Sequence, residues 1–474
     1  MSHAADPGDL AGRAARALGD PRLQRAVRFT ADRLRDAKAA ATASLGGFAE
    51  WRERGREIRA HTIANVDHYL RLFARNLAAR GGRVHFAADA REACALVTEI
   101  ARQGGARRVV KGKSMVSEEI GLNAHLAAQG LEVVETDLGE WIVQLAGETP
   151  SHIILPAIHK TRGEIQELFE RESGARLAPD TATLAGHARG RLRTRFLAAD
   201  LGVSGCNFAV AETGSVVLFT NEGNGRLVAA LPRVHVVLMG LERVVPTWQD
   251  LECMAQVLPR SATGQPLTTY VNAIHGPRRA GEADGPEELH VVVVDNGRSR
   301  QLGDPEFQAI LHCIRCGACL NVCPVYRQIG GHAYGAVYPG PIGAVLNPLL
   351  EPDRPARTEL AQASSLCGAC SEACPVAIPL HDMLVALRAR DVRHGRGGPG
   401  LRLALRLLAW LARHPRLARP LLRLGRTLAR LPGVRALGPA RAWRRIHAPL
   451  VPAPRSFLDQ WHAGTGRDEV QHGP

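Results

Sequence analysis

Apolar and polar positions follow two different patterns along the chain. Within residues 1–75, apolar residues such as Val27 and Leu70 recur at helical spacing between arginines, which predicts two or three helices. From about residue 80, short apolar runs alternate with helical stretches, which predicts βα units and a largely parallel sheet. The predicted strands are Val84–Phe86, Arg108–Val110, Leu131–Glu135, Ile153–Leu155, Phe208–Ala211, Ser215–Thr220, Val234–Met239 and His290–Val294. The helical stretches between them include Ala88–Gln103 and Glu118–Gln129.

Composition divides the chain into four parts. A polar break near residues 297–301 ends the α/β region, and the next part is rich in cysteine, glycine and proline. A glycine-rich joint then precedes a segment dominated by leucine and arginine. We therefore expect an N-terminal helical segment over 1–75, an α/β domain over 76–300, a cysteine-rich domain over 301–390 and a basic helical region over 391–474.

The formal net charge of +14 lies in one part of the chain. Sixteen arginines and a single acid, Asp391, fall between Arg388 and Arg445, whereas residues 1–387 are neutral overall. The charge therefore does not indicate a chain built around nucleic acid. Trp410 and Trp443 are the only aromatic residues of the basic stretch, which also speaks against stacking on bases. We expect no nucleic-acid partner.

Seven of the ten cysteines fall within 62 residues and form two motifs. The first is Cys313-x2-Cys316-x2-Cys319-x3-Cys323-Pro324, and the second is Cys367-x2-Cys370-x3-Cys374-Pro375. Thiolates are the ligands that iron–sulfur clusters require, and this spacing is that of bacterial ferredoxins. Structural zinc sites instead present two pairs of ligands. The motifs therefore predict two iron–sulfur clusters of the [4Fe–4S] type, and residues 301–390 are expected to form an α-helical, ferredoxin-type domain that holds both.

The ferredoxin spacing also predicts which cysteine binds which cluster. The cysteine before proline leaves its own motif and ligates the other cluster. Cluster 1 is therefore expected to take Cys313, Cys316, Cys319 and Cys374. Cluster 2 is expected to take Cys323, Cys367 and Cys370, and Ser364 stands where its fourth cysteine would be. A serine ligand, an outside ligand, a three-iron cluster and a labile corner open to solvent all remain open. The single cysteines, Cys94, Cys206 and Cys253, are interpreted as buried thiols.

Polar residues follow several predicted strands, at the edge where an open α/β sheet binds ligands. Gly112-Lys113-Ser114 resembles the end of a phosphate loop, but Arg107 replaces the leading glycine. We interpret these residues as a candidate anion site. The run Asn221–Arg226 follows another predicted strand, and it would either line the same crevice or form a solvated turn.

The basic C-terminal segment has arginines and leucines on neighbouring helical faces. The arginines are Arg402, Arg406, Arg413, Arg416, Arg419, Arg423, Arg426 and Arg430, and the leucines are Leu403, Leu407, Leu411, Leu417, Leu421, Leu424, Leu428 and Leu431. This predicts an amphipathic helix bent at Pro415 and Pro420. An arginine at every turn excludes a membrane span. Such a helix either binds an anionic membrane surface or an acidic partner, or packs on its own domain, and these interpretations remain open.

Several longer motifs match one known family. In the cysteine-rich part they are Gly303-Asp-Pro305, Cys313 through Tyr326, Gly330-Gly-His-Ala-Tyr334, Tyr338-Pro-Gly-Pro-Ile-Gly343, Ser364 through Cys370 and Cys374 through Leu380. In the α/β part they are Lys111-Gly-Lys-Ser-Met115, Ser117-Glu-Glu119, Ala211-Glu-Thr-Gly-Ser215 and Asn221 through Arg226. Together these motifs resemble the lactate utilization protein B family over nearly the whole chain, and the resemblance weakens beyond about residue 400.

The resemblance implies an iron–sulfur electron-transfer subunit of a three-protein system that oxidises L-lactate to pyruvate. It implies two [4Fe–4S] clusters beside a CoA-transferase-like α/β domain, the LUD domain. The implied partners are a protein with cysteine-rich domains and a smaller LUD-domain protein, and the electron acceptor is unknown. Seven cysteines are similar to that family, so Ser364 does not count against the resemblance. No catalytic residue follows from it.

No flavin or nicotinamide motif is visible, so the chain is expected to be a component of an oxidoreductase. Under the alternative, the α/β domain itself oxidises a hydroxy acid or binds an anion, with Glu212 or Glu222 as base. The clustered cysteines and the polar N-terminus predict the reducing cytoplasm. A peripheral position on the inner face of the membrane is the second location considered.

Overall fold

The computed structural model describes residues 9–395, 399–429 and 453–463. The chain falls into two compact units, Met1–Arg390 and Asp391–Pro474. Four helices open the first unit: α1 (Leu10–Leu18), α2 (Pro21–Leu45), α3 (Phe48–Ala64) and α4 (Val66–Ala78). Two or three were predicted. The chain breaks between α2 and α3 because Gly46 and Gly47 adopt positive φ angles of 69° and 54°.

The α/β part alternates strands and helices, as predicted. Its strands are β1 (Arg83–Ala87), β2 (Arg108–Lys111), β3 (Glu132–Glu135), β4 (Leu201–Ser204), β5 (Phe208–Val210), β6 (Ser215–Thr220), β7 (Val234–Gly240), β8 (Val244–Val245), β9 (Tyr270–Ile274) and β10 (Glu288–Val294). Its helices are α5 (Ala90–Gln103), α6 (Met115–Glu119), α7 (Leu122–Ala128), α8 (Leu138–Ala146), α9 (Arg162–Ser173), α10 (Thr181–Leu197), α11 (Asn224–Ala230) and α12 (Trp248–Ala262).

Six strands form a fully parallel sheet in the order β1-β10-β7-β4-β2-β3. A smaller sheet has the order β8-β5-β6-β9 and contains both parallel and antiparallel pairs. The prediction of an α/β domain with a largely parallel sheet is therefore confirmed. The strands β4, β8 and β9 were missed, because they are short or, in β9, alternate between half-buried and exposed positions.

Both faces of the large sheet are covered, which explains its continuous apolar strands. Alternate residues of β7 point to opposite sides. Val236 and Leu238 pack with apolar residues of α5 and α7, whereas Val237 and Met239 pack with α4 and the smaller sheet. Burying each such side chain contributes about 1.5–3 kcal/mol. The sheet is thus a rigid support for the loops at its edges.

Two predicted elements differ in the structure. Ile153–Leu155 was predicted as a strand, and this is wrong: Nδ1 of His152 accepts hydrogen bonds from the backbone N–H groups of Ile154 (3.0 Å) and Leu155 (3.1 Å), which forms a turn. Glu118–Gln129 was predicted as one helix, but α6 and α7 are separated at Gly121, whose φ is +67°.

The cysteine-rich part consists of short helices and turns. The helices are α13 (Ala318–Asn321), α14 (Tyr326–Ile329), α15 (Gly340–Leu350), α16 (Pro355–Thr358), α17 (Ala369–Glu372) and α18 (Leu380–Arg393). Single 3-10 turns lie at Gln308–His312, His332–Tyr334 and Glu359–Gln362, and two more precede this part, at Leu241–Arg243 and Ser299–Gln301. The core of this part is continuous with apolar residues of α2, α3 and α12. The N-terminal helices therefore pack on the cysteine-rich part.

The second unit contains α19 (Pro399–Arg413), α20 (Pro415–Leu428) and α21 (Phe457–His462). The predicted bend at Pro415 is a break between α19 and α20, whereas Pro420 lies inside α20. Leucines on both helices remain exposed, for example Leu403 at 70% and Leu422 at 69%. Arg430 and Leu431, also assigned to these faces, lie outside the described residues. Among the described residues, no helix has the length and apolar character needed to cross a bilayer.

Candidate metal centre

The two cysteine motifs adopt the same local conformation. In each, a glycine with positive φ follows the first of two closely spaced cysteines: Gly317 at +75° and Gly368 at +82°. A short helix, α13 or α17, begins at the next residue. A β-carbon at Gly317 would also come within 3.3 Å of His152 Cε1. Glycine is therefore required here by the turn and by the close approach of a neighbour.

Four cysteines from the two motifs line one small cavity. Cys313, Cys316 and Cys319 come from the first motif, and Cys374 comes from the second. The other walls are largely apolar and include Ile153, Ile314, Ile342, Val376 and Ile378. These four cysteines are the set assigned to cluster 1 from the spacing.

The chemistry of these buried thiols fits a metal cluster. Burial and the neighbouring Cys374 raise the pKa of Cys316 to about 12, and burial raises the pKa of Cys374 to about 11. Burial, followed by Cys316 and Cys313, also raises the pKa of Cys319. Several thiolates in one apolar cavity are unfavourable unless a cation is bound, and a coordinating metal removes the thiol proton. This donor set therefore suits iron.

The cysteines assigned to cluster 2 also lie near one another. Burial raises the pKa of Cys370 to about 11, and the nearby Cys323 and Cys367 contribute in the same direction. Cys323 and Cys370 are buried, whereas Cys367 is exposed. Ser364 is half-buried, and its Oγ accepts a hydrogen bond from the backbone N–H of Leu366 (3.1 Å). This side of the second group is therefore the more open one.

Backbone N–H groups donate to several cysteine sulfurs. The donors are Arg315 to Cys313 (3.4 Å), Tyr326 to Cys323 (3.5 Å) and Ile378 to Cys374 (3.3 Å). Such bonds stabilise negative charge on sulfur and so tune the potential of a bound cluster. In both motifs, a residue two or three positions after the cysteine–proline pair donates back to the cysteine sulfur, Tyr326 in the first and Ile378 in the second.

The N-terminal helices contact the cysteine loops directly, which the sequence did not predict. Arg52 of α3 donates to the backbone oxygens of Cys374 (2.7 Å) and Ser371 (3.0 Å). Lys38 of α2 donates to the backbone oxygen of Ala373. The N-terminal segment therefore covers the second cysteine motif and fixes its position.

Arg59 of α3 connects the cysteine-rich part to the α/β part. Its buried guanidinium donates to the backbone oxygens of Val244 (2.8 Å), His312 (3.3 Å), Leu311 (3.1 Å) and Glu242. Four carbonyls from two separate loops thus share one side chain. Because the side chain is 1% exposed, these bonds are protected from water.

A buried network of charged side chains also connects the cysteine-rich part to the α/β part. Arg298 donates to Glu242 (2.7 Å) and to both oxygens of Glu119 (2.8 and 2.7 Å). Glu242 also accepts a hydrogen bond from Arg315 (3.2 Å), which lies between Cys313 and Cys316 in the sequence. Glu119 accepts a hydrogen bond from Tyr338 (2.6 Å). Burial raises the pKa of Glu242, but Arg298, Arg315 and Arg243 outweigh it and hold the pKa at about 2. The network therefore holds the first cysteine motif on the sheet.

A larger cavity of about 300 Å³ lies at the carboxyl ends of the central parallel strands. Gly112–Ser114 follow β2, Asp137 follows β3 and Gly205–Asn207 follow β4, and all of them line the cavity. Ile153 and Arg315 line both this cavity and the cysteine-lined cavity. The two cavities therefore lie side by side.

The structure separates the two acids considered as a base. Glu222 lines the larger cavity, as Asn221 and Asn224 also do. Glu212 does not line it, and its carboxylate instead accepts a hydrogen bond from the backbone N–H of Trp248 (2.5 Å) at the start of α12. Of the single cysteines, Cys94 and Cys253 are buried as predicted, whereas Cys206 is half-buried and lines this cavity.

Comparison with known proteins agrees with an α/β part followed by a cysteine-rich part. The LUD domain model matches residues 70–294, and the 4Fe-4S dicluster domain model matches residues 309–378. A lactate utilization protein B from Oceanobacillus iheyensis is 44% identical over 95% of this chain and 95% of its own. Lactate utilization protein B 1 from Bacillus mycoides is 46% identical over 97% of each chain. This chain belongs to the lactate utilization protein B family.

Family membership confirms the predicted fold class and cofactor. The chain combines a LUD domain with a dicluster domain for two [4Fe–4S] clusters. A further family member, from Shouchella clausii, is 52% identical over 79% of each chain. A crystal structure of a DUF162 family protein from Deinococcus radiodurans aligns with 48% of this chain and 98% of its own, at 17% identity and a TM-score of 0.27. That score is too low to carry a structural argument.

Proposed function

We propose that this chain is the electron-transfer subunit of a multi-protein system that oxidises L-lactate to pyruvate. Its family members are named for lactate utilization, and its dicluster domain supplies one-electron carriers. Oxidation of a hydroxy acid releases two electrons, so a pair of one-electron carriers suits the task. The observation that supports this most is the cavity formed by four cysteines from two distant motifs.

The proposed ligands follow the grouping of the cysteines. Cluster 1 is held by Cys313, Cys316, Cys319 and Cys374, and cluster 2 by Cys323, Cys367 and Cys370, with Ser364 as the candidate fourth ligand. Each cluster, when bound, accepts and returns one electron. The chain's own residues fix the distance between the clusters, since each motif supplies its cysteine before proline to the other cluster. They also exclude water from cluster 1 and donate N–H groups to sulfur.

The proposed partners are a protein with cysteine-rich domains and a smaller LUD-domain protein. Within this chain, the proposed division is an N-terminal helical cover over 1–75, a LUD-type domain over 76–300, a cluster domain over 301–390 and a basic region over 391–474. The exposed leucines of α19 and α20, beside exposed arginines, support contact of the basic region with an anionic membrane surface.

The test of the ligand proposal is anaerobic reconstitution followed by iron and labile-sulfide analysis. The expected composition is four irons and four sulfides for each of two clusters. Replacing Cys316 with serine should disrupt cluster 1, whereas replacing the half-buried Cys206 with serine should leave both clusters in place. Tightly bound zinc without labile sulfide would contradict the proposal.

A further inference from the structure

Two lysines flank Gly112 at the end of β2, and their surroundings differ. Lys111 Nζ contacts Glu135 (2.9 Å), Glu118 (3.3 Å) and Ser117 (2.9 Å). Lys113 Nζ is also buried, but it has no hydrogen-bond partner and no carboxylate within ion-pair distance in the described part of the chain. A buried ammonium without a partner is costly. Because Lys113 lines the 300 Å³ cavity, the missing partner is expected to be a ligand.

Two arginines line the same cavity. Arg243 and Arg315 are each 7% exposed. Arg315 bonds Glu242 through Nη2 (3.2 Å), while its Nε and Nη1 have no hydrogen-bond partner among the described residues. Arg315 repels Arg243. Glu242 attracts Arg243, but its carboxylate already accepts hydrogen bonds from Arg298 and Arg315. Three cationic side chains thus converge on one cavity.

The cavity has the size and walls of a site for a small organic acid. Its volume of about 300 Å³ is far above the roughly 30 Å³ that one water claims. Apolar walls include Ile153, Leu218 and Leu258, which suits a ligand with a short carbon chain. Two acids also line it, but Asp137 accepts a hydrogen bond from the backbone N–H of Glu140 (3.1 Å), and Glu222 is exposed. The cations therefore outnumber the acids.

The position of the cavity connects it to electron transfer. Ile153 and Arg315 each line this cavity on one side and the cysteine-lined cavity on the other. A ligand here would be separated from the cysteines of cluster 1 by a single layer of side chains. A ligand at this position would also change the electrostatic surroundings of cluster 1, because Arg315 lies between Cys313 and Cys316 in the motif.

We propose that this cavity, the carboxylate cavity, binds a short 2-hydroxy or 2-oxo monocarboxylate whose carboxylate is held by Lys113 and Arg243 beside cluster 1. The class of acid rests on the proposed function, whereas the anionic character rests on the cavity itself. Asn224 also lines the cavity and supplies a polar group for the second oxygen.

The proposal is tested by anaerobic titration calorimetry on the full chain with both clusters bound. L-lactate and pyruvate are the probes, and lactamide, which has the shape of lactate without its charge, is the ligand control. We expect both acids to bind and lactamide not to bind. Replacing Lys113 with methionine should weaken binding about 10- to 100-fold, the usual effect of losing a hydrogen bond to a charged group.

Lys38 offers a matched control for the loss of one positive charge near cluster 1. Burial lowers the pKa of its ammonium, and the nearby Cys316 and Cys374 act in the opposite direction, but Lys38 does not line the carboxylate cavity. Lys38→Met should therefore bind the acids as the unmodified protein does, while Lys113→Met does not. In addition, pyruvate should shift the electron paramagnetic resonance signal of reduced cluster 1 in the unmodified protein and leave it unchanged in Lys113→Met.

A second pair of variants covers the case in which Lys113→Met does not fold. Thr268 is half-buried at the cavity. In Thr268→Glu the new carboxylate should repel the acids, whereas in Thr268→Gln the side chain has the size of glutamate without its charge and should not repel them. Absence of binding to the unmodified protein, or equal losses in the matched variants, would overturn the proposal. Lactate-dependent reduction of the clusters with the partner proteins is a separate measurement, so failure of the proposed function would be recognised independently.

Discussion

Replacing Arg298 with methionine should destabilise the first unit by about 4 kcal/mol. Methionine approximates the aliphatic stem of arginine but has no guanidinium, so Glu119 and Glu242 lose three hydrogen bonds of 2.7–2.8 Å. Removing one partner of a buried ion pair costs about 3–5 kcal/mol. Asn296 (2.7 Å) and Tyr338 (2.6 Å) still bond Glu119, and Arg315 still bonds Glu242, which keeps the cost within that range.

The assay is urea unfolding under anaerobic conditions, followed by tryptophan fluorescence and by the visible absorbance of the clusters. With a denaturant slope of about 3 kcal/mol per M, the midpoint should fall by about 1 M. The matched control is Arg83→Met, which removes an ion pair to Glu288 (2.8 Å) whose side chains are 60% and 33% exposed. Such a surface pair contributes about 0–1 kcal/mol. Equal midpoints for the two variants would refute the role assigned to the buried network.

Acid should weaken the same network, because the carboxyl pKa of Glu242 is held at about 2, below the usual 4.5. The stabilisation from ionised Glu242 is therefore complete above pH 5 and should be lost as the pH falls towards 2, which is measured as the urea midpoint against pH. An unchanged midpoint across that interval would contradict this. Ser364→Cys should complete a four-thiolate site and slow the loss of cluster 2 absorbance in air, and equal rates in both proteins would show a corner already closed. Removing residues 396–474 should abolish low-salt sedimentation with anionic vesicles and leave both clusters in place, and retained binding would show that the basic region does not dock.

The sequence predicted elements whose determinants are local. The strands β7 and β10 are continuous apolar runs, and the cysteine motifs carry their own spacing, so both were identified without the fold. The turn at Ile153–Leu155 was mistaken for a strand because its apolar residues resemble one, and the decisive contact is the side chain of His152.

Contacts between distant residues could not be predicted from one sequence. Arg59 bonds the carbonyl of His312, 253 positions away, and Arg298 bonds Glu119, 179 positions away. Nothing in the spacing of these residues distinguishes them from surface arginines. Lys113 was recognised as a candidate anion site from its position after a strand, but its lack of a partner and its nearness to the cysteines depend on the folded structure.

The central claim is that this chain carries electrons from lactate through its two clusters. The most direct test adds L-lactate anaerobically to the cluster-loaded protein, alone and with both partner proteins, and records the visible absorbance and the electron paramagnetic resonance signal. We predict that the clusters become reduced when lactate and the partners are present together, and stay oxidised when either is omitted. Clusters that stay oxidised in the complete mixture, while chemical reductants still reduce them, would contradict the account.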